Sequence, residues 1–107
     1  MTTFDKREAA FENKFAHDAE LDFKVIVRRN KLLGDWAAGL MGLDGNDADT
    51  YAKTVVQADF IEAGDEDVIG KVVTDFAVAG VLIADAAVRK MLADKAVEAR
   101  HQIMSAA

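Results

Sequence analysis

The chain has 107 residues, 51% of them hydrophobic and 30% charged, which is enough to bury one core and too apolar for disorder by composition. Thirteen Lys and Arg against nineteen Asp and Glu leave a net charge of −6, which opposes general binding to nucleic acid or to anionic membrane surfaces. The absence of Cys excludes disulfide scaffolds, thiol catalysis and Cys-ligated zinc, and the absence of Pro removes the commonest helix breaker.

The opening Met1-Thr2-Thr3-Phe4-Asp5 has no basic leader before an apolar run, so no secretory signal is expected. The longest uncharged apolar run, Phe76 to Ala84, spans nine residues, whereas a membrane-spanning helix needs about 20. Charge is uneven along the chain. Residues 1–31 carry seven basic and six acidic side chains, and residues 32–65 carry only Lys53 against seven acids.

Phe4, Phe11 and Phe15 are spaced by seven and four, which places them on one face of a helix. On an unbroken helix the same stripe passes next through Asp22 and Arg29, but the apolar face resumes as Leu21, Val25, Leu32 and Trp36. That change of azimuth near Ala16 to Glu20 predicts a break, with a first helix over 4–18 and a second over 20–41. Gly42-Leu43-Asp44-Gly45-Asn46-Asp47 reads as a turn, Gly42 capping the second helix and Asn46 or Asp47 opening the next. A third helix carries Tyr51, Val55 and Phe60 and stops at Gly64.

Asp65 is suited to an N-cap, with Glu66 and Asp67 in a first turn that favours negative charge. The β-branched pairs Val68-Ile69 and Val72-Val73 and the run Val81-Leu82-Ile83 have strand propensity. The spacing Val68, Val72, Phe76, Ala79, Ile83, Ala86 is helical, however, and no polar turn supports a hairpin. The expectation is therefore one long helix from Asp65 to about Ala99. The predicted fold is all-α, a four-helix bundle with one long C-terminal helix.

Catalytic and metal-binding patterns are not readable. His17 and His101 stand far apart without carboxylates at ligand spacing and read as surface residues near helix ends. Asp44, Asp47 and Asp49 depart from a calcium loop, since Asp49 sits where the sixth-position Gly belongs, and read as caps and turn formers. Gly64 to Lys71 only superficially resembles a phosphate-binding loop: Val72 replaces the metal-binding hydroxyl and three carboxylates would repel a triphosphate. Ser105 is the single serine, so no nucleophilic triad is legible. No metal is expected and no enzyme is indicated.

Two segments remain distinctive. The phenylalanine face of the first helix reads as core, or as the anchors of a helix that docks in a partner's groove. Arg28-Arg29-Asn30-Lys31-Leu32-Leu33-Gly34-Asp35-Trp36 reads as a solvated basic face with Trp36 in the core, or as a phosphate site beside an aromatic ring.

At these segments the chain resembles the zeta subunit family of the F-type ATP synthase of alphaproteobacteria, whose small members inhibit ATP hydrolysis by the rotary enzyme. The likeness rests on Phe4-Asp5, Arg7-Glu8, Ala10-Phe11-Glu12 and Lys14-Phe15-Ala16-His17-Asp18, then on Arg28 to Gly34, Trp36-Ala37-Ala38 and Gly42-Leu43. Tyr51-Ala52, Ala58-Asp59-Phe60 and Gly64 with Glu66-Asp67-Val68 follow in register. The resemblance implies a single helical domain over 1–107, with an inhibitory segment over 1–18 and a bundle core over 20–103. The inhibitory residues carried over are Phe4, Arg7, Phe11, Lys14 and Phe15, inserting at a catalytic interface among the alpha, beta and gamma subunits of the ATPase head.

An adenine-nucleotide site is also implied, with ADP or ATP as a regulatory ligand and no required cofactor. Its residues, chosen on charge, are Arg28, Arg29 and Lys31, with Trp36 added. The location implied is the cytoplasmic face of the membrane-bound synthase, without a membrane span. The alternative reading is a nucleotide-binding helical adaptor with another protein partner.

Overall fold

The computed structural model describes residues 2–61 and 64–106, with side chains from residue 17 onward. Four helices follow one another: α1 Thr2–Leu40, α2 Gly45–Ile61, α3 Asp65–Ala79 and α4 Asp85–Ala106, and the described residues contain no strand. The all-α expectation and the number of helices hold, but the chain is divided differently.

The break expected between residues 16 and 20 is absent, and α1 runs through it for 39 residues. Neither Pro nor Gly occurs before Gly34, and Ala16, Ala19, Glu20 and Leu21 are strong helix formers. A shift of the apolar stripe rotates the face that α1 presents; it does not interrupt the hydrogen-bond ladder. The helix ends where Gly42 adopts φ 80°, with the Gly42 N–H donating to Gly39 (3.2 Å) and the Leu43 N–H to Ala38 (2.9 Å). This paired bonding around a left-handed glycine satisfies the last carbonyls, as the sequence suggested.

The single helix expected from Asp65 to about Ala99 is two helices. Gly80 takes φ 76° and ψ 21°, its N–H donates to Ala77, and the Val81 N–H reaches Phe76 at 2.8 Å. The same terminating motif therefore closes α3, and residues 81–84 cross to α4 without helical structure. The long helix of this fold is accordingly the first, not the C-terminal one. Two cap assignments also change. Gly64 occupies the N-cap of α3 without a side-chain bond, and Asp65 is the first helical residue. At α2 the Asp44 carbonyl receives the Asp47 and Ala48 N–H groups, so Asn46 and Asp47 lie inside the first turn.

Cross-helix pairs fix the directions. Asn30 meets Asp59 and Phe23 meets Phe60, so α2 runs antiparallel to α1. Asp65 meets Arg29 and Phe76 meets Trp36, so α3 returns parallel to α1. Asp22 meets Arg100 while Arg29 lies near Leu92 and Ala96, so α4 is antiparallel again. The core between them is Leu33, Ala37, Val55, Val68, Ile69, Val72, Phe76, Val88 and Leu92. Each large member contributes about 1.5–3 kcal/mol by leaving water. Gly34 lets α1 and α2 touch backbone to backbone: a Cβ there would stand 2.6 Å from the Ala52 Cα.

Candidate functional site

The basic run of α1 divides between two faces. One turn of helix separates Lys24, Arg28 and Lys31 in steps of four and three, and this spacing brings them onto one side. Together with Phe23, Val27, Val56 of α2 and Ile103 of α4 they line a cleft of about 360 Å³. Lys24 pairs with Glu20 at 3.2 Å and Lys31 with Asp35 at 3.1 Å, both on α1 and both exposed. Arg28 is exposed and makes no ion pair among the described residues. The cleft thus offers a planar guanidinium and two ammonium groups above an apolar floor, an arrangement able to hold an anionic group next to an apolar one.

Arg29 takes the opposite side and is 8% exposed. Its Nη1 donates to Asp65 Oδ1 at 3.0 Å and its Nε to Asn30 Oδ1 at 3.0 Å. Asn30, buried, donates through Nδ2 to Asp59 Oδ2 at 3.1 Å, and Asp59 Oδ1 accepts from the Gly64 N–H at 3.2 Å. These bonds join α1 to the end of α2 and the start of α3. A neighbouring clasp holds α3 to α4. The Arg89 guanidinium makes a bidentate pair with Glu66 (2.6 and 2.8 Å) and also reaches Asp85. That pair holds the Glu66 carboxyl below the usual carboxylate range.

Trp36 is half-buried and packs edge-on against Phe76, 5.6 Å between centroids. It lies on the Arg29 side of the helix, seven residues on, and not beside Arg28 and Lys31. Of the four residues chosen for nucleotide, the structure therefore brings together Arg28 and Lys31 and sets Arg29 and Trp36 apart from them. Lys24, Phe23, Val56 and Ile103 were missed. The i, i+4, i+7 spacing of Lys24, Arg28 and Lys31 was a usable signal for the first; the others are neighbours only in the folded chain. Phe4, Arg7, Phe11, Lys14 and Phe15 belong to α1, and their side chains lie outside the described residues.

A second cleft, about 520 Å³, lies on the other side of the Phe23–Val27 ridge, between α1, α2 and the start of α3. His17 and His101 are exposed, the former inside α1 and not near a helix end as expected, the latter in the closing turns of α4. Among the described residues no group of three or more His, Asp or Glu side chains is disposed to hold a metal ion, and no helix is long and apolar enough to cross a membrane.

These features define a helical protein whose prominent chemistry is recognition at surface clefts between clasped helices. The ATPase inhibitor subunit zeta family matches residues 1–102, nearly the whole chain, and the chain belongs to that family. Among solved structures it is similar to a protein determined by solution NMR, with 40% sequence identity and a TM-score of 0.71, over 81% of this chain and 99% of that one. No curated protein matches it.

Proposed function

We propose that the chain is a regulatory inhibitor of the F-type ATP synthase that suppresses ATP hydrolysis by occupying an interface and performs no chemistry itself. Membership of the ATPase inhibitor subunit zeta family over residues 1–102 carries this reading. Residues 1–18 are the inhibitory segment in this reading, and residues 20–103 form the bundle that carries it. Phe4, Phe11 and Phe15 fill apolar pockets at a catalytic interface of the alpha and beta subunits beside gamma, and Arg7 and Lys14 pair with carboxylates there. A wedged interface cannot open and close, so hydrolysis stops. The continuity of α1 from Thr2 to Leu40 supports a segment delivered as part of a rod, with less entropy lost on binding than a hinged arm would lose. The protein works at the cytoplasmic face of the synthase.

Adenine nucleotide is the regulatory ligand in this reading, its phosphates meeting Arg28 and Lys31, with Lys24 adjoining. Arg29 and Trp36, engaged with Asp65 and Phe76, stand outside that contact. Hydrolysis by the source organism's soluble ATPase head, measured with the full chain and with a version lacking residues 1–18, tests the inhibitor reading. Inhibition by the full chain alone supports it, inhibition by both moves the working surface to the bundle, and inhibition by neither rejects it. Titrating ADP or ATP while recording amide shifts tests the nucleotide site, which fails if residues 24–31 do not respond at millimolar concentration.

A further inference from the structure

The second cleft holds two carboxylates, Asp65, paired with Arg29, and Asp59, which has no ion-pair partner among the described residues. Its walls are Phe23 and Ile26 of α1 and Val56 and Phe60 of α2, and its polar floor contains Asn30 and Asp59. The two aromatic rings are in contact, 5.7 Å between centroids, yet Phe23 is 52% and Phe60 60% exposed. Asp59 accepts from the Asn30 amide and from the Gly64 N–H, both neutral donors. Among the described residues it makes no ion pair, because Arg29 is drawn to Asp65 and to the Asn30 side-chain oxygen Oδ1. A half-buried carboxylate held in place between neutral donors and apolar walls is stabilised by a cation brought from outside.

We propose that this cleft receives an arginine carried on an apolar segment of the ATPase head, a second contact beyond residues 1–18. The guanidinium pairs with Asp59 while its plane lies against Phe23 and Phe60, a combination that a planar, weakly hydrated cation fits and a compact ammonium fits less well. Apolar neighbours of that arginine cover Ile26 and the exposed aromatic edges. The net charge of −6 draws a basic partner and opposes a second copy of this chain. The identity of the partner rests on the inhibitor reading. Phe23 follows residue 18 by five positions on the same helix, about 7.5 Å along its axis, so the cleft lies close to the segment assigned to that reading.

The test is inhibition of ATP hydrolysis by the soluble head, titrated with the full-length protein and with full-length Asp59→Asn, Phe60→Ala and Phe60→Lys variants, each checked by its thermal melt. The first two are expected to raise the half-inhibitory concentration about tenfold, the size of a single interface anchor. Phe60→Lys, which supplies the chain's own cation, is expected to raise it further. Phe60 is mostly exposed, so its variants keep the test decisive should Asp59→Asn unfold the chain. Unchanged inhibition by the Phe60 variants, with a wild type that inhibits, overturns the second contact and leaves the inhibitor reading standing. A wild type that does not inhibit overturns both. A wild-type dimer in sedimentation that Phe60→Ala turns into a monomer makes the occupant a second copy and also overturns the proposal.

Discussion

Arg28 and Arg29 are adjacent in sequence, yet one lines an open cleft and the other is buried against Asp65, because successive positions on a helix point 100° apart. Asn30 completes the second environment by serving Arg29 with its oxygen and Asp59 with its amide. Asn30→Leu strips both partners at once, so chemical denaturation should show a loss of about 2 kcal/mol. At Gly34 the constraint is space. The 2.6 Å approach of a Cβ to the Ala52 backbone leaves no flexible group to move aside, and Gly34→Ala should cost about 1–3 kcal/mol in the same measurement.

Tyr51 provides a pH signature. Burial, then the hydrogen bond to Asp75 (2.8 Å) and its charge, push the phenol well above its ordinary value of 10.0. A group whose proton is held more tightly in the folded state adds stability below its unfolded value and loses that contribution as pH rises beyond it. Melting temperature should therefore fall as pH climbs past about 10, and Tyr51→Phe should flatten that alkaline decline. A slope identical in the two proteins would dissociate it from this residue.

Among the elements, the helix ends explain both successes and misreadings. Gly42, set among Leu43, Asp44, Gly45 and Asn46, announces a turn by its polar company. Gly80 sits between Ala79 and Val81 with apolar residues on both sides, so its local composition favours continuing the helix. The left-handed backbone at Gly80 and the packing of Val81 and Ile83 against the core decide otherwise. The glycine that ends α3 and the one inside it should respond oppositely to alanine. Gly80→Ala imposes a side chain on a left-handed position and should destabilise by about 1–2 kcal/mol. Gly70→Ala, exposed within α3 with nothing near its Cβ, should stabilise by about 0.5–1 kcal/mol. Paired thermal melts read both signs.

Across the whole molecule, one aromatic residue joins three helices' worth of packing. Phe76 is 1% exposed, meets Trp36 of α1 edge-on, and belongs to the core that includes Val88 and Leu92 of α4. Phe76→Ala should cost about 3–5 kcal/mol, against a total stability of about 5–15 kcal/mol for a chain of this size. The expected readout is a large drop in melting temperature or loss of a cooperative transition in calorimetry.

Composition and periodicity were sufficient for an all-α chain and for the turn at Gly42, because these depend on neighbours a few residues away, whereas the expected count of four helices arose from one helix divided and two joined. The basic run and the phenylalanine segment carry the resemblance to the family that matches residues 1–102. What the folded chain alone decided was the single α1, the break after Ala79, and the partition of the cations. Whether an arginine meets solvent or a carboxylate depends on residues 36 positions away, as Arg29 and Asp65 show. Likewise Phe23 and Phe60 form one cleft only because α2 folds back along α1, a long-range contact that no local spacing encodes.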